Sequence, residues 1–262
     1  MKNKNLYSFL TGGSVATLGG LIGLGGAEFR LPILVGFFNF STLSAIIINK
    51  LVSLIVVILS LFFRSNTISF TEILPHSHII INILIGSLFG AYWGASYTMK
   101  IKQEILNKII FVMLITLSLG MLLGHNYLVA GNPLFENQIV LFISGVIAGV
   151  IIGIIAAVLG VAGGEFIIPT LILIFGLDLK LAGSISLCIS LPTMLVAFFR
   201  YSKSEQFNEI IKEKEFLLYM IFGSIVGVFI GSLLLGYINS QYISILLGII
   251  LLVSAWKVFK TN

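Results

Sequence analysis

The sequence predicts an all-α polytopic membrane protein built from two copies of one unit, and three observations carry that prediction. Mean hydropathy is +1.13, with 58% of the 262 residues hydrophobic and 10% charged. Soluble domains carry roughly 25% charged residues, and no water-soluble fold of this length hides so much apolar surface. Uncharged runs of about 20 residues recur, each long enough to cross a hydrocarbon core of about 30 Å. The chain also aligns with itself at one offset, 137 residues, from beginning to end.

At that offset Gly23, Gly26, Glu28, Phe29 and Pro32 fall on Gly160, Gly163, Glu165, Phe166 and Pro169. Ala45, Ser53, Phe62, Ser65, Phe70 and Glu72 fall on Ala182, Ser190, Phe199, Ser202, Phe207 and Glu209. Chance matches of Leu and Ile are cheap in such a composition, but joint matches of Gly, Glu and Pro are not. The halves are residues 1–130 and 131–262, together one transmembrane domain. Each begins with an apolar run ending in glycines (6–26 and 138–164), then a short apolar piece after a proline (32–38 and 169–175). Three ordinary spans follow, 41–63, 75–99 and 104–124 in the first half and 178–199, 216–236 and 241–256 in the second. Gly86, Gly90, Gly94 and their counterparts Gly223, Gly227, Gly231 recur every fourth position, a smooth stripe suited to close helix packing.

The net charge of +5 does not point to nucleic acid, because the cations fall at helix ends, where they set topology. Lys2 and Lys4 precede an apolar run as in a signal peptide, but the run passes 20 residues without a cleavage pattern and reads as a retained segment. If that run crosses fully, Lys100, Lys102 and Lys108 lie on the face opposite Lys2 and Lys4. If the glycine–proline stretch instead turns a hairpin back to its own side, these lysines, Arg200, Lys203, Lys212, Lys214, Lys257 and Lys260 all lie inside. Only Arg64 and Lys180 then sit at outer boundaries, so charge favours hairpins and cytoplasmic termini. Three crossings per half turn the second half upside down, giving inverted repeats with about 8 membrane segments and broken helices meeting near the midplane. Single Cys188 excludes an internal disulfide framework and a CxxC metal signal. No metal site, cofactor or ATP-binding P-loop is expected.

The chemistry concentrates at the breaks. Gly23, Gly25, Gly26, Ala27 and Glu28 lead to Pro32; Gly160, Gly163, Gly164 and Glu165 lead to Pro169. Glycine permits a sharp break, and proline suits the first turn of the short helix after it. A helix start offers unpaired N–H groups and partial positive charge, an anion site. Charged residues at the bilayer centre cost roughly 2.5–3.5 kcal/mol each on insertion scales, and four occur here: Glu28, Arg30, Lys50 and Glu165. One reading pairs them internally, Glu28 with Lys50 and Arg30 with a carbonyl or Glu165. The other lets an anion take Arg30 or Lys50 while a glutamate binds the coupling proton. The counterparts of Arg30 and Lys50 are Ile167 and Leu187, so the cations belong to one half. Asn49 and Ser53, matched by Ser186 and Ser190, are candidate anion donors one helical turn apart.

At these strings the sequence resembles the sulfite exporter TauE/SafE family of membrane transporters, on Gly23, Gly25, Gly26, Pro32, Gly160, Gly163, Gly164 and Pro169. It departs where Ala27 and Ala162 replace glycines. The resemblance spans essentially the whole chain. It implies secondary transport of sulfite, a sulfonate or a related sulfur anion across the bacterial inner membrane, with a proton or sodium as coupling ion and no cofactor. Sulfur comes from the resemblance alone. An anion channel and a membrane-embedded enzyme remain alternatives, the enzyme weakened because no His–acid pair lies at membrane depth. Oligomeric state is open, a homo-oligomer included.

Overall fold

The computed structural model describes residues 2–22, 26–64, 69–123, 132–234 and 252. Among these there is no strand, and five helical stretches are long and apolar enough to cross a membrane, Thr42–Phe62, Phe70–Thr98, Gln138–Leu159, Leu181–Tyr201 and Lys214–Gly231. The chain is a multi-pass membrane protein. Helix α1 (Lys2–Ile22) leads to short α2 (Ala27–Gly36) and long α3 (Thr42–Arg64). A four-residue α4 (Phe70–Ile73) and a 3-10 turn precede α5 (Ser77–Thr98) and α6 (Gln103–Leu123). The second series is α7 (Gln138–Leu159), α8 (Gly164–Phe175), α9 (Leu179–Tyr201), α10 (Glu205–Lys212) and α11 (Lys214–Leu234). The predicted last span, 241–256, lies outside the described residues apart from 252.

The tightest packing joins α1 to α11 and α5 to α7, and glycine makes both possible. A Cβ on Gly86 would lie 2.0 Å from the Val146 carbonyl oxygen, and one on Gly223 would lie 2.0 Å from that of Phe9. Gly90 meets Val150 at 2.2 Å and Gly227 meets Gly13 at 2.1 Å by the same measure. Each contact has a counterpart 137 residues away with the partners exchanged. The register makes both helix pairs parallel, so the packing stripe expected from sequence holds two backbones in contact. Large side chains such as Phe89, Trp93, Phe222 and Phe229 are exposed on the outward faces of α5 and α11.

Side-chain contacts group the helix ends. Lys4 Nζ donates to Glu213 Oε2 at 2.9 Å and lies over the rings of Phe40 and Phe216, 5.1 and 5.3 Å from their centroids. Tyr7 and Phe37 meet edge to face at 5.8 Å, so the end of α2 lies beside the beginning of α1. Thr42 bonds Asn107, and Arg200 Nε donates to Ser96 Oγ at 2.7 Å. At the other end of the bundle, the Leu134 N–H, just before α7, bonds the Ile174 carbonyl near the end of α8 at 3.0 Å.

One expectation needs correction. The prolines do not open the short helices: Pro32 and Pro169 are each the sixth residue of α2 and α8. The helices start earlier because left-handed Gly26 (φ 66°) and Gly163 (φ 87°) end the preceding turn. Proline then withholds the N–H that would bond the carbonyl four residues back, which is that of Glu28 in one helix and Glu165 in the other. The segment 205–212, between the spans, is also helical. It forms amphipathic α10, with Ile210 buried in the core beside Phe207.

Candidate functional site

The starts of α2 and α8 bring their glutamates together. Glu28 and Glu165 are each the second residue of their helix, and their carboxyls lie within interaction distance of one another. All four carboxyl oxygens are buried, and none accepts a hydrogen bond of ordinary geometry. Two carboxylates so placed repel, whereas a proton between them supplies the missing bond.

Arg30, two residues further along α2, is fully buried. Its Nη1 donates to Asn49 Oδ1 at 3.2 Å and to Ser53 Oγ at 3.1 Å, both on α3. Asn49 Nδ2 in turn donates to the Ala27 carbonyl at 2.7 Å. These bonds tie the start of α2 to α3 and fix the guanidinium plane. The remaining edge, Nε and Nη2, has no acceptor. Two parallel N–H groups are what an oxyanion or carboxylate takes up in a bidentate contact. A buried, oriented guanidinium edge next to a helix start is chemically able to hold an anion.

Lys50 plays a different part. It is 1% exposed, and its Nζ donates to the carbonyls of Ala156 at 2.9 Å and Val161 at 2.6 Å. The Ala156 oxygen lies in the last turn of α7 and also accepts the Val161 N–H at 3.1 Å, so Lys50 is a further donor there; Val161 lies two residues past the helix, beyond left-handed Gly160. Tyr201 Oη donates to the neighbouring Ala157 carbonyl at 3.0 Å. Lysine at a helix carboxyl end also meets the favourable end of the dipole. The reading that pairs Glu28 with Lys50 is not the arrangement found: Arg30 lies in the field of Glu28 and Lys50 in that of Glu165, and neither cation forms a salt bridge with them.

In the second half Ser186 Oγ bonds its own helix at the Gly183 carbonyl, 2.8 Å away. Buried Ser190 Oγ has no partner, since Ile167 occupies the position corresponding to Arg30. Gly163 caps α8 and Gly164 begins it; Gly23 and Gly25 lie outside the described residues. A groove of about 360 Å³ between α7 and α8 reaches Glu165 and Pro169 between apolar walls that include Ile151, Phe166 and Leu173. Sequence reasoning missed Tyr201 as a helix cap. Its counterpart is Arg64, so the repeat gave no signal, and only the contact with α7 reveals the role.

A model of the family described as sulfite exporter TauE/SafE matches residues 1–121 and 145–262. The chain belongs to this family. The two matched blocks cover nearly all of it and contain both helix breaks, Arg30, Lys50 and both glutamates. Membership makes the chain a membrane transporter of the TauE/SafE kind rather than a member of an enzyme family. No curated protein and no solved structure matches the chain.

Proposed function

We propose that this TauE/SafE protein is a secondary transporter of a small sulfur oxyanion, such as sulfite or a sulfonate, that binds between the facing starts of α2 and α8. The observation carrying the proposal is the unfilled Nε–Nη2 edge of buried Arg30, held in place by Asn49 and Ser53. The anion takes that edge, with the first N–H groups of α2 and the free Ser190 hydroxyl as further donors. Glu28 and Glu165 take the coupling proton. Lys50 acts on the site through its charge and by holding the end of α7.

Access alternates between the two membrane faces in this reading, as in transporters built on inverted repeats. Support comes from the exchanged contact pairs at the 137-residue offset and from α1 and α7 starting at opposite ends of the bundle. The distribution of lysine and arginine supports placing both termini in the cytoplasm, with the protein in a bacterial inner membrane. The α8–α9 joint is apolar, through Ile167, Ile168, Leu171, Ile185 and Ile189, and the groove beside α8 leaves space. Short helix α8 is accordingly the element that rocks, while α2 stays fixed to α3.

The test is uptake of labelled sulfite into liposomes containing the purified chain, with and without a pH gradient. Saturable uptake that a pH gradient accelerates and Arg30→Gln abolishes is the expected result. Flux linear in sulfite concentration and indifferent to the gradient would mean a channel.

A further inference from the structure

We propose that the site moves its anion without moving net charge: one monovalent oxyanion on Arg30 travels with one proton held between Glu28 and Glu165. The inference rests on the transport reading above and adds the charge class of the substrate and the stoichiometry.

The charges of the buried groups at this depth can be counted. Glu28, Arg30 and Lys50 are each at most 1% exposed, and the Glu165 carboxyl oxygens are buried. Glu28 faces Glu165 and Arg30; Glu165 faces Glu28 and Lys50. The surrounding helices add no other charge at this depth among the described residues. Helices α1, α5, α7, α9 and α11 carry Asp, Glu, Lys, Arg or His only near their ends, and α6 only within its first two turns. With every group ionised, two carboxylates balance an ammonium and a guanidinium, and the empty site is neutral.

That neutral site has two unmet needs of opposite kind. The Nε and Nη2 groups of Arg30 lack an acceptor, and the paired carboxyl oxygens lack a donor. An anion meets the first need and a proton the second. Either alone leaves one net charge in the membrane interior; both together restore neutrality. A single uncompensated charge at bilayer depth is disfavoured by about a hundredfold or more on insertion scales. Only the empty and the doubly loaded forms therefore pass readily through the closed intermediate of the cycle. Coupling follows from this selection and needs no mechanical link between proton and anion sites. A divalent anion would need a second proton, so the site selects the singly charged form of an acid such as hydrogensulfite.

The experiment uses the full chain in liposomes, labelled sulfite at a pH where hydrogensulfite predominates, an internal pH dye, and potassium gradients with valinomycin to set the membrane potential. Wild-type net uptake is expected to rise with an inward proton gradient, to carry about one proton per sulfite, and to change less than threefold when the potential is reversed. A larger response to potential overturns the proposal, because moving one charge across 100 mV corresponds to a roughly fiftyfold bias. Glu165→Gln gives a second, independent readout. Its loaded site is neutral without a proton and its empty site carries one positive charge. The variant is expected to exchange internal for external sulfite while net uptake falls about a hundredfold. Net proton-driven uptake by Glu165→Gln at the wild-type rate would equally overturn the proposal. Should the variant not fold, the wild-type potential measurement still decides. Absence of both uptake and exchange in folded wild-type protein removes the transport reading, and this inference with it.

Discussion

The two helix breaks share a glycine cap, a glutamate and a proline, yet their surroundings differ. In the first half, α2 is tied to α3 by polar bonds: Arg30 to Asn49 and Ser53, and Asn49 to the Ala27 carbonyl. In the second half, α8 meets α9 through isoleucine and leucine, Ser186 turns back on its own helix, and Ser190 is unpartnered. Lys50, the only lysine at this depth among the described residues, leaves its own half and bonds carbonyls at the broken end of α7 in the other. The difference teaches that two breaks of like sequence can be held differently: Arg30 stays beside its own break, while Lys50, from the same half, carries its charge to the other. One break is held to its neighbour by polar bonds and the other by apolar contact, the contrast on which the proposed transport reading rests.

The contrast can be broken or sharpened experimentally. The largest effect is expected where the halves remain equivalent. Gly86→Val and Gly223→Val each drive a side chain into a backbone carbonyl, and both should lower stability by about 3 kcal/mol or prevent folding. Unfolding temperature in detergent and yield of monodisperse protein provide the measure; a mild effect at either site would mean that the two interfaces differ. Next comes the receptor itself. Arg30→Gln should weaken sulfite binding about thirtyfold, through loss of charge-assisted bonds of about 2 kcal/mol, without a matching loss of thermal stability. Arg30→Lys should restore little of it, since an ammonium keeps the charge and loses the fork. Equal weakening by Ile167→Ala would mean that both breaks grip the anion.

Lys50→Met should act chiefly on stability. It removes one donor each from the Ala156 carbonyl, which keeps the Val161 N–H, and the Val161 carbonyl, and should cost about 1–3 kcal/mol, read as a lower unfolding temperature with a smaller loss of sulfite affinity than Arg30→Gln. A loss of affinity as large as that of Arg30→Gln would reassign Lys50 to direct anion contact. The smallest effect belongs to the surface. Lys4→Ala or Glu213→Ala breaks an exposed pair and should change stability by less than about 1 kcal/mol, an effect that fades in high salt.

Much of this was legible in the chain. Hydropathy and uncharged runs demand a bilayer, whatever the tertiary arrangement, because apolar surface at this density has nowhere else to go. The 137-residue offset announces two units before any contact is known, and the glycine stripes announce close helix packing. Buried Glu28, Arg30, Lys50 and Glu165 stand out because charge is expensive at that depth. Partners were another matter. One of the two sequence readings paired Lys50 with Glu28, 22 residues away, whereas it bonds carbonyls 106 and 111 residues away. Tyr201 was not singled out at all, and it caps the same helix end from 44 residues away. The prolines pointed to helix starts five residues too late, since capping is set by the left-handed glycines before them.

By itself, then, the sequence determined the solvent, the duplication and the list of costly residues, all properties of composition and short-range period. Tertiary structure alone decided which orphan group each costly residue would satisfy. That choice depends on which helix ends meet in the middle of the bundle, and no local pattern encodes a meeting between residues a hundred positions apart.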